Sequence, residues 1–249
     1  MGHEGASSMA LQNRLAGVLL HPTSLPGGFG IGDLGKEAFG FIDFLKEAKH
    51  RIWHMLPLGP VVEEEFYSPY ATVSGFASNH FLLSLDRLVD AGLLERRELA
   101  HAEREAAGLK SEGTVNFRAV EHCKLPLLRR AARNFRGAQA ERMLSSFCAE
   151  HSWVEEYAEF AALRLQYGGA RSQWPAELRS RSVSSNRVLK SAAIQEEVLL
   201  QKSLQYLFFE QWSRLREYAQ QQGVMLFGDL PLYVSRGGAD VWANPHVFA

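Results

Sequence analysis

Asp229 follows the apolar run Val224 to Phe227 and Gly228, with Pro231 just after it. A carboxylate at the end of a buried strand suits the open mouth of an α/β barrel, where side chains meet substrate. The plain alternative is a helix N-cap or a salt-bridged structural aspartate. Tyr67, Ser68 and Tyr70 lie together in F-Y-S-P-Y, stiffened by Pro69. A tyrosine offers a flat apolar face and a hydroxyl tip. A sugar ring has an apolar face and a polar rim, so stacking plus one hydrogen bond would recognise it. Equally, such a tyrosine can anchor its own loop. Glu63, Glu64 and Glu65 are adjacent carboxylates. Glycosidases need two carboxyls about 5–9 Å apart across the sugar bond, and a run of adjacent glutamates reads better as a solvated charge run. Gly30, Gly32 and Gly35 spell G-x-G-x-x-G, the dinucleotide fingerprint. That motif should follow its strand at once. Here Pro22 and Pro26 intervene, which favours a glycine-rich loop bending toward a groove.

The elements that must position these residues fall into two kinds. Gly17 to Leu20 is a short apolar run. Ala38, Phe41, Ile42, Leu45 and Ala48 recur at helical spacing within Lys36 to His50. Ile52 to Leu58 reads as a strand closed by Pro57, Gly59 and Pro60. Strand, helix and strand in about 40 residues make a βαβ unit and predict a parallel sheet. An irregular loop, Val61 to Asn79, follows, and Phe81 to Leu85 could form a further short strand. From Asp86 to Gln222 the pattern is helical or linker. Ser152 and Glu155 have capping-box spacing. Leu204, Phe208, Trp212, Leu215 and Ala219 form an amphipathic stripe, and the Ser- and Arg-rich stretch Arg171 to Lys190 reads as a mobile connection. A strand returns near 224–230. The division expected is a flexible N-terminus, 1–13, then an incomplete domain, 14–249. It has barrel strands near 17–20, 52–58 and 224–230 and a helical insertion at about 86–222. A full (β/α)8 barrel takes about 250 residues without insertions. With more than half of this chain in the insertion, the sheet is expected to be unfinished at Ala249.

Composition excludes several classes. A formal net charge of −1 gives no electrostatic reason for nucleic acid or an anionic membrane as partner. The arginines between Arg164 and Arg187 alternate with acids and read as an exposed face. Cys123 and Cys148 lack a C-x-x-C partner, so neither a zinc knuckle nor a redox pair is expected, and two thiols suit a reducing compartment. No run reaches the roughly 18 apolar residues of a membrane span. Residues 1–10 lack the pattern of a secretory signal. No H-E-x-x-H occurs.

G-V-L-L-H-P-T-S-L-P-G-G-F-G-I-G-D-L-G from Gly17 to Gly35 resembles the opening of the 4-α-glucanotransferases, called amylomaltase in bacteria and disproportionating enzyme in plants. I-W-H-M-L-P-L-G-P at Ile52 to Pro60, S-P-Y at Ser68 to Tyr70 and F-F-E-Q-W at Phe208 to Trp212 are similar to later family segments. G-D-L-P-L-Y-V at Gly228 to Val234 and A-D-V-W-A-N-P at Ala239 to Pro245 follow in order. The resemblance implies the N-terminal portion of a TIM (β/α)8 barrel with large, mainly helical insertions. It implies transfer of α-1,4-glucan segments, drawn from maltooligosaccharides, by retaining double displacement, in the cytoplasm and with no cofactor or metal. It implies substrate-binding roles for Tyr70, Ser68 and Asp229. Tyr70 would stack under the sugar and Asp229 would hydrogen-bond its hydroxyls. The family's nucleophile lies in a segment resembling R-I-D-H-F-R-G, with the general acid later still, and both are expected beyond Ala249. The chain alone is therefore expected to be inactive, and poorly soluble where the sheet edge is open. Departures are Val115-Asn116-Phe117 for a frequent Val-Asp-Tyr, and Arg236-Gly237-Gly238 for Glu or His before Asp-Ser. A glucan-binding module or an inactive remnant is the rival reading. The sequence sets no oligomeric state.

Overall fold

Proline and glycine punctuation keeps the strands of this protein short, and long amphipathic helices carry most of the core. The computed structural model describes residues 14–107, 113–182 and 185–248. The flexible terminus expected at 1–13 lies outside the described residues. In chain order the strands and helices are β1 (Gly17–Leu19), α1 (Lys36–Glu47), β2 (Ile52–His54), α2 (Leu85–Asp90), α3 (Arg96–Ala107) and α4 (Phe117–Asn134). There follow α5 (Ala138–Glu150), α6 (Trp153–Tyr167), α7 (Asn186–Leu189), α8 (Ala192–Gln222), β3 (Met225–Phe227) and α9 (Ala239–Ala243). The fold is α/β and helix-rich, with one small parallel sheet of order β1-β2-β3.

The register aligns Val18, Trp53 and Leu226 across the sheet. Trp53 on the central strand is fully buried, and its indole N–H donates to the Leu20 carbonyl at 2.7 Å. Helix α1 buries Ala38, Ile42 and Leu45, one face at helical spacing. It ends at Glu47 with Ala48 as its cap, and Lys49 just beyond takes a left-handed φ of 60°.

Helix α8, at 31 residues, spans about 46 Å and packs along α6, α1 and α4. Its first turns, Ile194 and Val198, join a core with Trp174, Leu178 and Trp242. Its later turns, Leu204 to Ala219, join the larger core beneath the sheet. One helix thus links both cores. The arginine of a two-pronged ion pair, Arg129 to Glu197 at 2.9 and 2.5 Å, fastens α4 to it.

Several expectations change. Phe81 to Leu85 is not a strand: His80–Leu82 is a 3-10 turn capped by Asn79, and Leu85 opens α2. The backbone groups there are met by side chains instead of a neighbouring strand. Gln205 both accepts from and donates to the Ser78 backbone, and Gln211 does the same at Ser84. The capping box at Ser152 does not form. Ser152 is already helical at φ −57° and ψ −28°, makes no side-chain cap, and Glu155 pairs with Lys202 on α8. Arg171 to Lys190 is packed, not loose, over its described residues: Trp174, Leu178 and Leu189 are buried, and the Trp174 indole donates to the Gly168 carbonyl. Within it Arg181 pairs with Glu159 at 2.7 Å, and Arg164 on the preceding helix α6 pairs with Glu64 at 2.6 Å. After β3, Leu230, Leu232 and Tyr233 are 77–85% exposed, an uncovered apolar stretch.

Candidate functional site

Parallel pairing places the carboxyl ends of all three strands on one side, so the loops after them converge there. The loop after β1 begins at His21. Its Nδ1 accepts from the Thr23 hydroxyl at 2.7 Å, and Nε2 faces the Pro57 carbonyl at 3.3 Å. Burial lowers the His21 pKa, and the Pro57 bond only partly offsets this. The ring is therefore a neutral tie between the loops after β1 and β2.

The glycines of G-x-G-x-x-G are absorbed by packing. A Cβ on Gly32 would stand 2.1 Å from the Pro22 carbonyl oxygen, and Gly35 opens α1. Asp33 occupies the helix entrance, accepting from the Gly35 N–H at 2.9 Å and from buried Lys124 at 3.0 Å. A carboxylate where a pyrophosphate would sit repels it, so the dinucleotide alternative is discarded.

Tyr70 reaches from the loop after β2 and Asp229 from the loop after β3. The phenol O–H donates to Asp229 Oδ2 at 2.6 Å, and the Leu230 N–H donates to Oδ1 at 2.8 Å. The Tyr70 bond is the first cause holding the Asp229 carboxyl below its usual range; the Leu230 N–H adds to it, and desolvation partly opposes it. The same bond raises the Tyr70 phenol. Tyr70 is 42% exposed. The structure thus brings these two predicted residues together, and Asp229 is neither an N-cap nor salt-bridged. Ser68 lies two residues from Tyr70, but its hydroxyl accepts from the Tyr70 N–H at 3.3 Å and closes the turn.

The remaining loop residues divide cleanly. Tyr67 is the loop anchor, stacked on Phe117 at 4.6 Å and 8°, with its hydroxyl buried. Phe66 and Tyr67 both take left-handed φ, near 53° and 56°, and Phe66 is 92% exposed. The three glutamates are a solvent-exposed charge run, folded into a 3-10 turn in which Glu63 pairs with Arg118 and Glu64 with Arg164. Gly238 caps α9 where a Cβ would meet the Val73 carbonyl oxygen at 2.6 Å. Sequence reasoning missed two contributors. His54 lies edge-on to Phe227 at 5.1 Å, and Asp240 accepts from the Gly75 N–H at 2.9 Å, tying the loop after β2 to α9. For His54 the available signal was its place at the end of β2. Among the described residues no group of three or more His, Cys, Asp or Glu could hold a metal.

The sequence pattern of the 4-alpha-glucanotransferases matches residues 20–249. The chain belongs to the 4-alpha-glucanotransferase family. It is 39% identical over 237 residues to the 4-alpha-glucanotransferase of Aquifex aeolicus, covering 94% of this chain and 46% of that protein. To the Synechocystis 4-alpha-glucanotransferase it is 39% identical over 243 residues, covering 96% and 46%. Its fold superposes on the amylomaltase of Streptococcus agalactiae, solved in complex with acarbose, with a TM-score of 0.85 and 33% identity, over 95% of this chain and 47% of that one. The chain thus spans about half the length of the curated relatives it matches. Within this family member, the motif F-F-E-Q-W acquires a physical role: Phe208 is core and Gln211 clamps the Ser84 backbone.

Proposed function

We propose that this chain carries the sugar-orienting part of an enzyme that transfers α-1,4-glucan segments to another sugar hydroxyl. The observation that carries the reading is the Tyr70–Asp229 hydrogen bond at the carboxyl ends of the strands. An exposed aromatic face beside an ionised, acceptor-only carboxylate matches the two faces of a glucose ring. Both Asp229 oxygens are already fixed by donors, which suits orientation of substrate hydroxyls more than attack on the anomeric carbon. Ser68 contributes by setting the Tyr70 turn. The names of the relatives and the acarbose held by the S. agalactiae enzyme support a glucan-like ligand.

In this reading β1, β2 and β3 belong to a TIM-type (β/α)8 barrel, residues 14–249 form part of its catalytic domain, and the helices of 86–222 are inserted. The bond-breaking step is a retaining double displacement with a separate nucleophile and acid. No segment resembling R-I-D-H-F-R-G occurs in the 249 residues, so this chain by itself binds without turnover. A cytoplasmic setting fits two unpaired thiols, Cys123 and Cys148. Calorimetric titration with maltoheptaose tests the binding claim: a saturable signal is expected, and none at millimolar ligand would refute it. Asp229→Asn should weaken affinity about tenfold, the loss of one charged hydrogen bond. Glucose release from maltotriose by the purified chain would overturn the claim of no turnover.

A further inference from the structure

A second concavity, of about 990 Å³, opens between the segment 169–180 and the stretch 234–248. Its charged lining is Arg164, Arg171, Arg179, Arg236, Glu64 and Glu65. Arg164 and Glu64 neutralise each other at 2.6 Å, which leaves three guanidinium groups facing one exposed glutamate. Arg171 is a brace: its two terminal nitrogens donate to the Arg179 and Arg236 carbonyls at 2.9 and 2.7 Å. It thereby draws the backbones of two further arginines onto a single cation. Among the described residues the Arg179 side chain uses only Nε, bonded to the Trp174 carbonyl at 2.9 Å, and Arg236 engages only its carbonyl. Among the described residues none of the three is paired with a carboxylate. Burial lowers the Arg171 pKa, and the charge of Arg236 lowers it further, a mark of uncompensated positive potential. Ser172, Ser180 and Ser235 add hydroxyls to the same wall.

We propose that this groove is an anion site for a phosphate group, either free or carried on a sugar. Guanidinium forks match phosphate oxygens, and a dianion offsets more of the clustered charge than a carboxylate would. A concave wall with a net positive charge concentrates such an ion. The groove has room for a sugar ring behind the phosphate.

Calorimetry on this chain at low ionic strength tests the idea with inorganic phosphate, glucose 6-phosphate and glucose as titrants. Both phosphates should bind saturably, more weakly as sodium chloride is raised, and glucose should be silent. Tighter binding of glucose 6-phosphate would assign a sugar phosphate, and equal binding the free ion. The double variant Arg179→Gln/Arg236→Gln should lose about tenfold or more in affinity with an unchanged circular dichroism spectrum. Should that variant not fold, Arg236→Gln alone, at an exposed side chain, should still weaken binding severalfold. Absence of saturable phosphate binding, or binding undiminished in a folded variant, would overturn the proposal. The inference does not depend on the glucan reading: maltoheptaose binding at Tyr70 and Asp229 should be the same in both variants.

Discussion

Lys124 on α4 is completely buried, held by Asp33 at 3.0 Å and the Phe81 carbonyl at 2.7 Å, whereas Asp229 stands in solvent beside Tyr70. The helical layer and the strand-end loops thus treat polar groups in opposite ways. In the layer, Lys124, Glu197, Gln205 and Gln211 are desolvated and held by fixed partners. At the loops, hydrogen bonds remain open to water, which makes them easy to exchange for a ligand's hydroxyls. A scaffold built on buried pairs resists displacement, because removing one partner strands the other. A site built on exposed pairs can trade partners at little cost.

The contrast can be broken most severely at Lys124. Lys124→Ala should lower urea-unfolding stability by roughly 3–5 kcal/mol, since it leaves the Asp33 carboxylate and the Phe81 carbonyl without their cation. A loss under 1 kcal/mol would show that the pair is not part of the scaffold. Gln211→Leu comes next: it strands the Ser84 N–H and carbonyl and should cost about 2–3 kcal/mol in the same measurement.

Acid should weaken the layer through His80. Burial, with positive charge at Lys124 and Arg129, holds this ring down to a pKa of about 4, against 6.5 when free, and its Nδ1 is buried without a partner. The folded state then binds fewer protons than the unfolded one between pH 6.5 and 4. Stability is full above 6.5 and falls as pH drops toward 4, by on the order of 2 kcal/mol because part of the residue stays accessible. Urea midpoints across that range should slope, and His80→Asn should flatten the slope.

Asp229→Asn probes the opposite side and should leave the urea midpoint where it is. Its effect is on titration. A depressed carboxyl keeps the pair intact above its ordinary value of 3.8 and loses it only as pH falls below that. A raised phenol keeps its proton as pH climbs past 10. In the variant, the ultraviolet tyrosinate signal of Tyr70 should return toward 10. If the midpoint dropped as well, the site would be part of the scaffold and the contrast would fail.

Much of the scaffold was legible because periodicity reports which face is buried. Ala38, Ile42 and Leu45 in α1, and Leu204, Phe208 and Leu215 in α8, follow from spacing alone. The strands were legible by place and not by length. Ile52 to Leu58 was expected; the strand itself ends at His54, one further bond runs from the Met55 N–H to the Phe227 carbonyl, and Pro57 beyond has no N–H to offer a ladder. The turn at His80–Leu82 was misread because the backbone on either side of it, at Ser78 and Ser84, bonds to side chains on α8, 127 residues away in sequence, and not to a neighbouring strand. The glutamates at 63–65 are solvent-exposed as expected, but their partners could not be read locally, since Arg118 and Arg164 lie on distant helices.

For the candidate site, the sequence by itself determined the residue types: an aspartate after a strand, a tyrosine in a proline-stiffened loop, and ordered motifs that name the family. Those depend on local chemistry and on segments that keep their order. Only the tertiary structure decided that Tyr70, and not Tyr67, meets Asp229, and that Arg171 gathers Arg179 and Arg236. Such partnerships join positions 159 and 65 residues apart. They exist because parallel strands bring their carboxyl ends to one side and packing fixes which loops then touch, information that no local spacing carries.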